Sequence, residues 1–162
     1  MVVSLLIDRD ANPNAQCDDE DVDVVKWTSL FVTLQKGRLD IAGMLLRHGA
    51  NVNYQDSFGQ GPLHIASRHP SDDLARLSLD HSVDPNASDY WGRTALHEAS
   101  SKGQTAVITL LLDRGTKVDA RSKPGSTPLD EAKRDGRSGV MKLLLDHGAD
   151  GDAQMNDYET AW

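Results

Sequence analysis

Within the 12 residues from Asp89 to Ser100 the chain carries the side chains from which an acid–base site is commonly assembled. His97 and Glu98 are adjacent, Tyr90 and Trp91 offer a stacking surface, and Arg93 could hold an anion. Glu131 follows Glu98 by 33 residues, so the two fall at equivalent places if the chain repeats at that interval. Packed helices lie roughly 8–10 Å apart. Two carboxylates so placed could serve as acid and base around a water or ligand. Lys102, Lys133 and Arg134 lie within a helical turn or a repeat of them, and an ion pair with these cations is the plainer role for both glutamates. No nucleophile–base pair and no phosphate-cradling glycine loop accompanies them. The six His and the lone Cys17 show no CxxC, HxxxH or HExxH spacing, so neither a metal nor another cofactor is expected.

Composition narrows the classes further. A chain of 162 residues has room for one domain with a sizeable core. Its net charge of −8 argues against a general nucleic-acid binder, since phosphate affinity rests on Lys and Arg. No apolar run approaches the roughly 18 residues needed to span a bilayer, and the first residues are too short in apolar length and too acidic afterwards for a signal peptide. One cysteine forms no intramolecular disulfide, which points to a reducing compartment: the cytoplasm, with the nucleus as the alternative.

What must position the candidate residues is a repeat. Gly59, Gly92 and Gly125 recur every 33 residues. Leu30, Leu63, Leu96 and Leu129 keep the same step, as do Ala66, Ala99 and Ala132, and Gly49, Ser82, Gly115 and Gly148. Each unit opens on a turn whose Gly suits a positive φ. Thr94 or Thr127 then supplies an N-cap hydroxyl, and Pro62 or Pro128 occupies the first helical position. Gly103 and Gly136 end that short helix. A second helix follows, with an apolar stripe in Val107, Leu110 and Leu111 and again in Val140, Leu143 and Leu144.

Length and signature together resemble the ankyrin repeat, with its Thr-Pro-Leu-His-x-Ala opening. The resemblance covers nearly the whole chain. It implies an all-α fold, a solenoid of stacked helix-turn-helix units with β-turn or hairpin fingers. The chain is read as one domain, 1–162, with a half-unit at 1–16 and an acidic insertion at about 17–22. Full units follow at 23–55, 56–88, 89–121 and 122–154, and a partial unit at 155–162. The insertion, rich in Asp18, Asp19, Glu20 and Asp21, reads first as a solvated loop and second as a dock for a basic partner. The terminal half-units either cap the stack or mark a piece of a longer array.

The resemblance assigns His64 and His97 to bracing: each ties its own turn and the neighbouring unit. It also implies binding through finger tips and inner helices, and it maps the variable positions onto Phe58, Gln60, Arg68, His69, Tyr90, Trp91, Arg93, Lys102 and Lys123. Of the eight aromatic residues, Phe58, Tyr90 and Trp91 fall on two adjacent tips. Aromatics dominate binding hot spots. The leading expectation is a monomeric, non-catalytic scaffold holding a protein or peptide that carries acidic and aromatic residues, with no nucleic-acid or membrane partner. The alternatives are a small-molecule enzyme using Glu98 and Glu131, and a targeting fragment of a larger ankyrin-repeat protein. Unit two departs most from the pattern: Gly61 replaces the capping Thr, Pro70 the glycine, Ser78 a core Leu and Ser82 the terminal Gly. Reduced local stability, a hinge or an altered pocket is expected there.

Overall fold

The computed structural model describes residues 12–17 and 27–152. The half-unit at 1–16, the acidic insertion and the partial unit at 155–162 therefore lie wholly or mostly outside the described residues. A short antiparallel pair comes first, β1 (Gln16–Cys17) with β2 (Trp27–Thr28), Gln16 opposite Thr28 and Cys17 opposite Trp27. Four helix pairs follow: α1 (Ser29–Gln35) with α2 (Leu39–Arg47), α3 (Pro62–Ala66) with α4 (Asp73–Asp80), α5 (Ala95–Lys102) with α6 (Thr105–Asp113), and α7 (Pro128–Arg134) with α8 (Ser138–Asp146). The expected all-α solenoid is the observed fold.

Local chemistry starts and stops each first helix. Thr28 and Thr127 accept the backbone N–H three residues on, from Phe31 and Asp130. At α5 the ring of His97 takes the place of an acidic capping-box residue, its Nδ1 accepting the Thr94 N–H at 3.1 Å. Gly61 has no side chain, and His64 Nδ1 accepts its N–H at 3.2 Å, so the imidazole supplies half of the missing cap. Gly103 ends α5 in the left-handed conformation at φ 78°. Gly49, Gly115 and Gly148 end the second helices with φ of 85°, 78° and 87°. Ser82 holds the equivalent place at φ 66°, and among the described residues it is the only non-glycine with positive φ.

One apolar core runs the length of the stack. Its centre is the recurring set Leu30, Leu63, Leu96 and Leu129, all 2% exposed or less, backed by Ala66, Ala99 and Ala132. Ala at those three places lets neighbouring first helices approach closely. The second helices add Leu45, Leu79, Val107, Ile108, Leu111, Val140 and Leu144. Leu143, expected in the apolar stripe, is only partly buried. Ser78 stands in the core where Leu45, Leu111 and Leu144 stand in the other units, and its hydroxyl donates to Leu74 O at 2.9 Å. That bond satisfies the polar atom within its own helix. In unit one Phe31 replaces the bracing histidine and meets Tyr54 edge-on, with ring centroids 6.1 Å apart. The loops between units are laced by side-chain amides and carboxylates: Asn14 Oδ1 accepts from Asn51 N, Asn86 Oδ1 from Lys117 N and Asp119 Oδ1 from Asp150 N.

Candidate partner-binding site

The fingers of units two and three are each shaped by their first residue. Asp56 Oδ1 accepts the N–H groups of Phe58 and Gln60, both at 2.9 Å. Asp89 Oδ1 does the same for Trp91 and Arg93 at 2.9 and 2.8 Å. Both aspartates are buried, each folding its turn around one carboxylate oxygen. Successive fingers are also joined through their backbones: Tyr90 N donates to Phe58 O at 3.1 Å, and Lys123 N to Trp91 O at 2.7 Å. The tips thus form a fixed row, with the side chains of Phe58, Tyr90, Trp91 and Lys123 at set intervals along it.

The aromatics are joined to one another. Phe58 and Trp91 stack with centroids 5.8 Å apart and planes 26° from parallel. Tyr90 lies over the preceding finger, so close that a Cβ on Gly59 would come within 2.5 Å of its ring. Even so, Phe58, Tyr90 and Trp91 remain 38%, 58% and 49% exposed. They are three of the five large apolar side chains that stand out from the described surface, Leu39 and Leu145 being the others.

Beneath this platform lies an ionic cluster spanning two units. Glu98, on α5, is 3% exposed. Its Oε2 accepts from Arg68 Nε at 3.0 Å, and its Oε1 faces Arg93 Nη2 at 3.0 Å. Arg68 comes from the segment after α3 and Arg93 from the unit-three finger. Gln60 Oε1 accepts from Arg68 Nη2 at 2.9 Å, and the Arg68 carbonyl accepts from Gln104 Nε2 at 2.9 Å. Burial raises the Glu98 pKa, but the hydrogen bond and charge of Arg68, with Arg93 and His64 beyond, outweigh it and hold the carboxyl below its ordinary range. Glu98 is therefore ionised at neutral pH and has no proton to give. Glu131 is likewise buried, and it pairs with Arg134, as the spacing suggested. Glu98, by contrast, is held by Arg68 and Arg93 instead of Lys102. Two carboxylates each sealed by a guanidinium fit structural duty better than acid–base work on a ligand.

His64 and His97 brace the fingers as expected. Each Nδ1 accepts the N–H of its cap residue, so each Nε2 carries the proton and donates across to the next finger, to Arg93 O at 2.9 Å and Ser126 O at 3.0 Å. Burial holds both imidazoles below the ordinary histidine pKa. The apparent His97–Glu98 dyad is thus two separate devices, the ring directed along the fingers and the carboxylate towards the arginines.

The remaining expected residues divide. Lys102 and Lys123 are exposed and make no ion pair among the described residues. His69 is half-buried, with its ring edge against unit one: a Cβ on Gly37 would lie 3.4 Å from Cε1. Arg68, Arg93 and Gln60 are tied into the cluster yet stay partly exposed. Asp56 and Asp89, which are not among the expected site residues, hold the fingers, and the sequence signal for them is their place three residues before the turn glycine.

A model for ankyrin repeats, in three copies, matches residues 1–89 and 63–155. The chain belongs to the ankyrin-repeat family. Ankyrin repeats are in general protein–protein interaction modules, and the match carries that general role and no particular partner. A comparison with curated proteins finds no match to the chain. Among the described residues of this ankyrin domain, no helix is long and apolar enough to cross a membrane. None of its described His, Cys, Asp and Glu side chains gather in threes as a metal site would need.

Proposed function

We propose that this ankyrin-repeat chain is a non-catalytic scaffold that binds a protein partner on the finger tips of units two and three and the adjoining ends of α3 and α5. The observation that carries this reading is the aromatic row of Phe58, Tyr90 and Trp91, held in place by Asp56, Asp89 and the finger backbones yet largely open to solvent. Rigid aromatic side chains on a pre-formed backbone lose little entropy on binding. Three of them grouped on adjacent tips form the kind of exposed apolar patch that marks an interaction surface.

The test compares wild type with Trp91→Ala in pull-down, followed by titration of any protein retained by wild type alone. Truncating a central Trp is expected to weaken binding by about 2 kcal/mol, roughly 30-fold in Kd. The α-helical circular dichroism should be unchanged. A dissociation constant equal to that of wild type refutes the assignment.

A further inference from the structure

The Arg68–Glu98–Arg93 cluster has donors left over. Arg68 uses Nε on Glu98 and Nη2 on Gln60, whereas Arg93 faces Glu98 Oε1 with Nη2 as an ion pair, its buried Nε having no hydrogen-bond partner among the described residues. The Nη1 group of each guanidinium makes no hydrogen bond among the described residues, and the two side chains keep 34% and 30% of their surface in solvent. The two carboxylates that balance these guanidiniums, Glu98 and Asp89, are both buried, whereas the guanidiniums reach solvent. The side chain that brings them together, Glu98, is itself covered, so what solvent meets is cationic. Lys102 and Lys123, exposed and unpaired among the described residues, extend the same sign along this edge of a chain whose net charge is −8.

From this charge pattern we infer that the cluster is a receptor for a carboxylate: the partner is an extended acidic segment that places an Asp or Glu side chain on the Nη1 groups of Arg68 and Arg93 and lays an adjacent aromatic ring on the Phe58–Trp91 stack. The inference rests on the reading of the finger tips as the binding surface. A guanidinium holds its N–H donors in one rigid plane, so the Nη1 groups left free are already oriented by the contacts to Glu98 and Gln60 and by the Asp89 turn. Little further ordering is needed when the ligand arrives. A cationic partner residue is disfavoured because it would meet the solvent-facing Arg68 and Arg93 guanidiniums and the exposed Lys102 and Lys123. Glu98 acts here as a positioning residue and does not touch the partner.

The experiment is a fluorescence-polarisation titration of the full chain with labelled, N-acetylated and C-amidated decapeptides in a Gly-Ser background. Each carries one Asp or Glu placed one to three residues from a single Trp or Phe, and each has an Asn or Gln control. The best acidic peptide should bind about tenfold tighter than its amide control, with affinity falling as salt rises. Arg68→Lys with Arg93→Lys keeps the charge over Glu98 and so protects the fold. It should remove most of the acid-over-amide preference, because an ammonium paired with Glu98 has no second nitrogen to turn towards the partner. Lys102→Gln with Lys123→Gln touches no described contact and should weaken only the acidic peptides, about threefold, with a shallower salt dependence. Saturable binding that Trp91→Ala abolishes, but that shows no acid preference, overturns the inference and leaves the finger-tip reading standing. Binding indifferent to Trp91→Ala overturns both. Absence of saturable binding by any acidic peptide below about 1 mM, a level worth about 4 kcal/mol, also overturns the inference.

Discussion

Replacing Glu98 by Gln tests the cluster that joins units two and three. The side chain is 3% exposed and loses its charge while keeping nearly the same shape. Removing one partner of a fully buried ion pair costs about 3–5 kcal/mol, because the remaining charge is stranded. Here the remaining charges are not stranded: Arg68 and Arg93 keep 34% and 30% of their surface in water and can rehydrate. A single charge-assisted hydrogen bond contributes about 1.5–3 kcal/mol, and Gln retains one acceptor for Arg68. The expected loss is therefore about 2 kcal/mol at pH 7, or about 4–8 °C in Tm for a chain of this size.

The pH dependence has a definite sign. Glu98 is held below its ordinary pKa of 4.5, so its contribution is complete above that value and disappears as pH falls through the lower folded value. Urea denaturation of both proteins, followed by circular dichroism at pH 7 and again near pH 3, measures the difference directly. A gap at pH 7 within about 0.5 kcal/mol, the size of an ordinary surface change, or an undiminished gap in acid, would show that the clamp does not join the units as described.

Two other outcomes follow from the same structure. Ser82→Gly relieves a left-handed serine, worth about 1–2 kcal/mol, against the greater freedom of glycine in the unfolded chain, about 0.5–1 kcal/mol; thermal melts should show a net gain of about 0.5–1 kcal/mol, and a lower Tm would contradict the backbone argument. Acid should weaken the stack through His64 and His97, whose folded pKa values burial holds below the unfolded value of 6.5. Both are neutral in the fold, so their stability is full above about pH 6.5 and declines as pH falls towards the folded values, by up to about 1.4 kcal/mol per pH unit for each proton taken up. Denaturation midpoints at pH 7.5 and 5.5 check this, and a flat profile would exclude it.

The period of 33, the capping threonines, the bracing histidines and the leucine–alanine core were legible because each rests on short-range rules: a cap needs a hydroxyl at one position, and a left-handed turn needs glycine. Unit two announced its irregularities in the same way, and Ser82 keeps the backbone its glycine counterparts adopt, so the geometry of the stack overrides a residue ill suited to it. The exposed aromatics were legible too, since the tip positions are set by the turn.

Which residue meets which across units was not legible. Lys102 was the nearest cation to Glu98 along its own helix, yet the carboxylate is taken by Arg68, 30 residues earlier, and by Arg93 from the finger. Sequence distance ranks Lys102 first because helical neighbours three or four apart usually pair. In the stack, the finger and the end of the preceding first helix close over α5 and bring both guanidiniums to the buried oxygens. The same closing turned Phe58 and Trp91 from two isolated aromatics into one stacked platform. The sequence by itself determined the repeat, the caps, the core and which side chains stand on the tips, since these follow from periodicity and local backbone demands. The tertiary structure alone decided that Glu98 is a sealed anion between two arginines and that the aromatics form a surface, because both depend on the offset between successive units, which no single unit encodes.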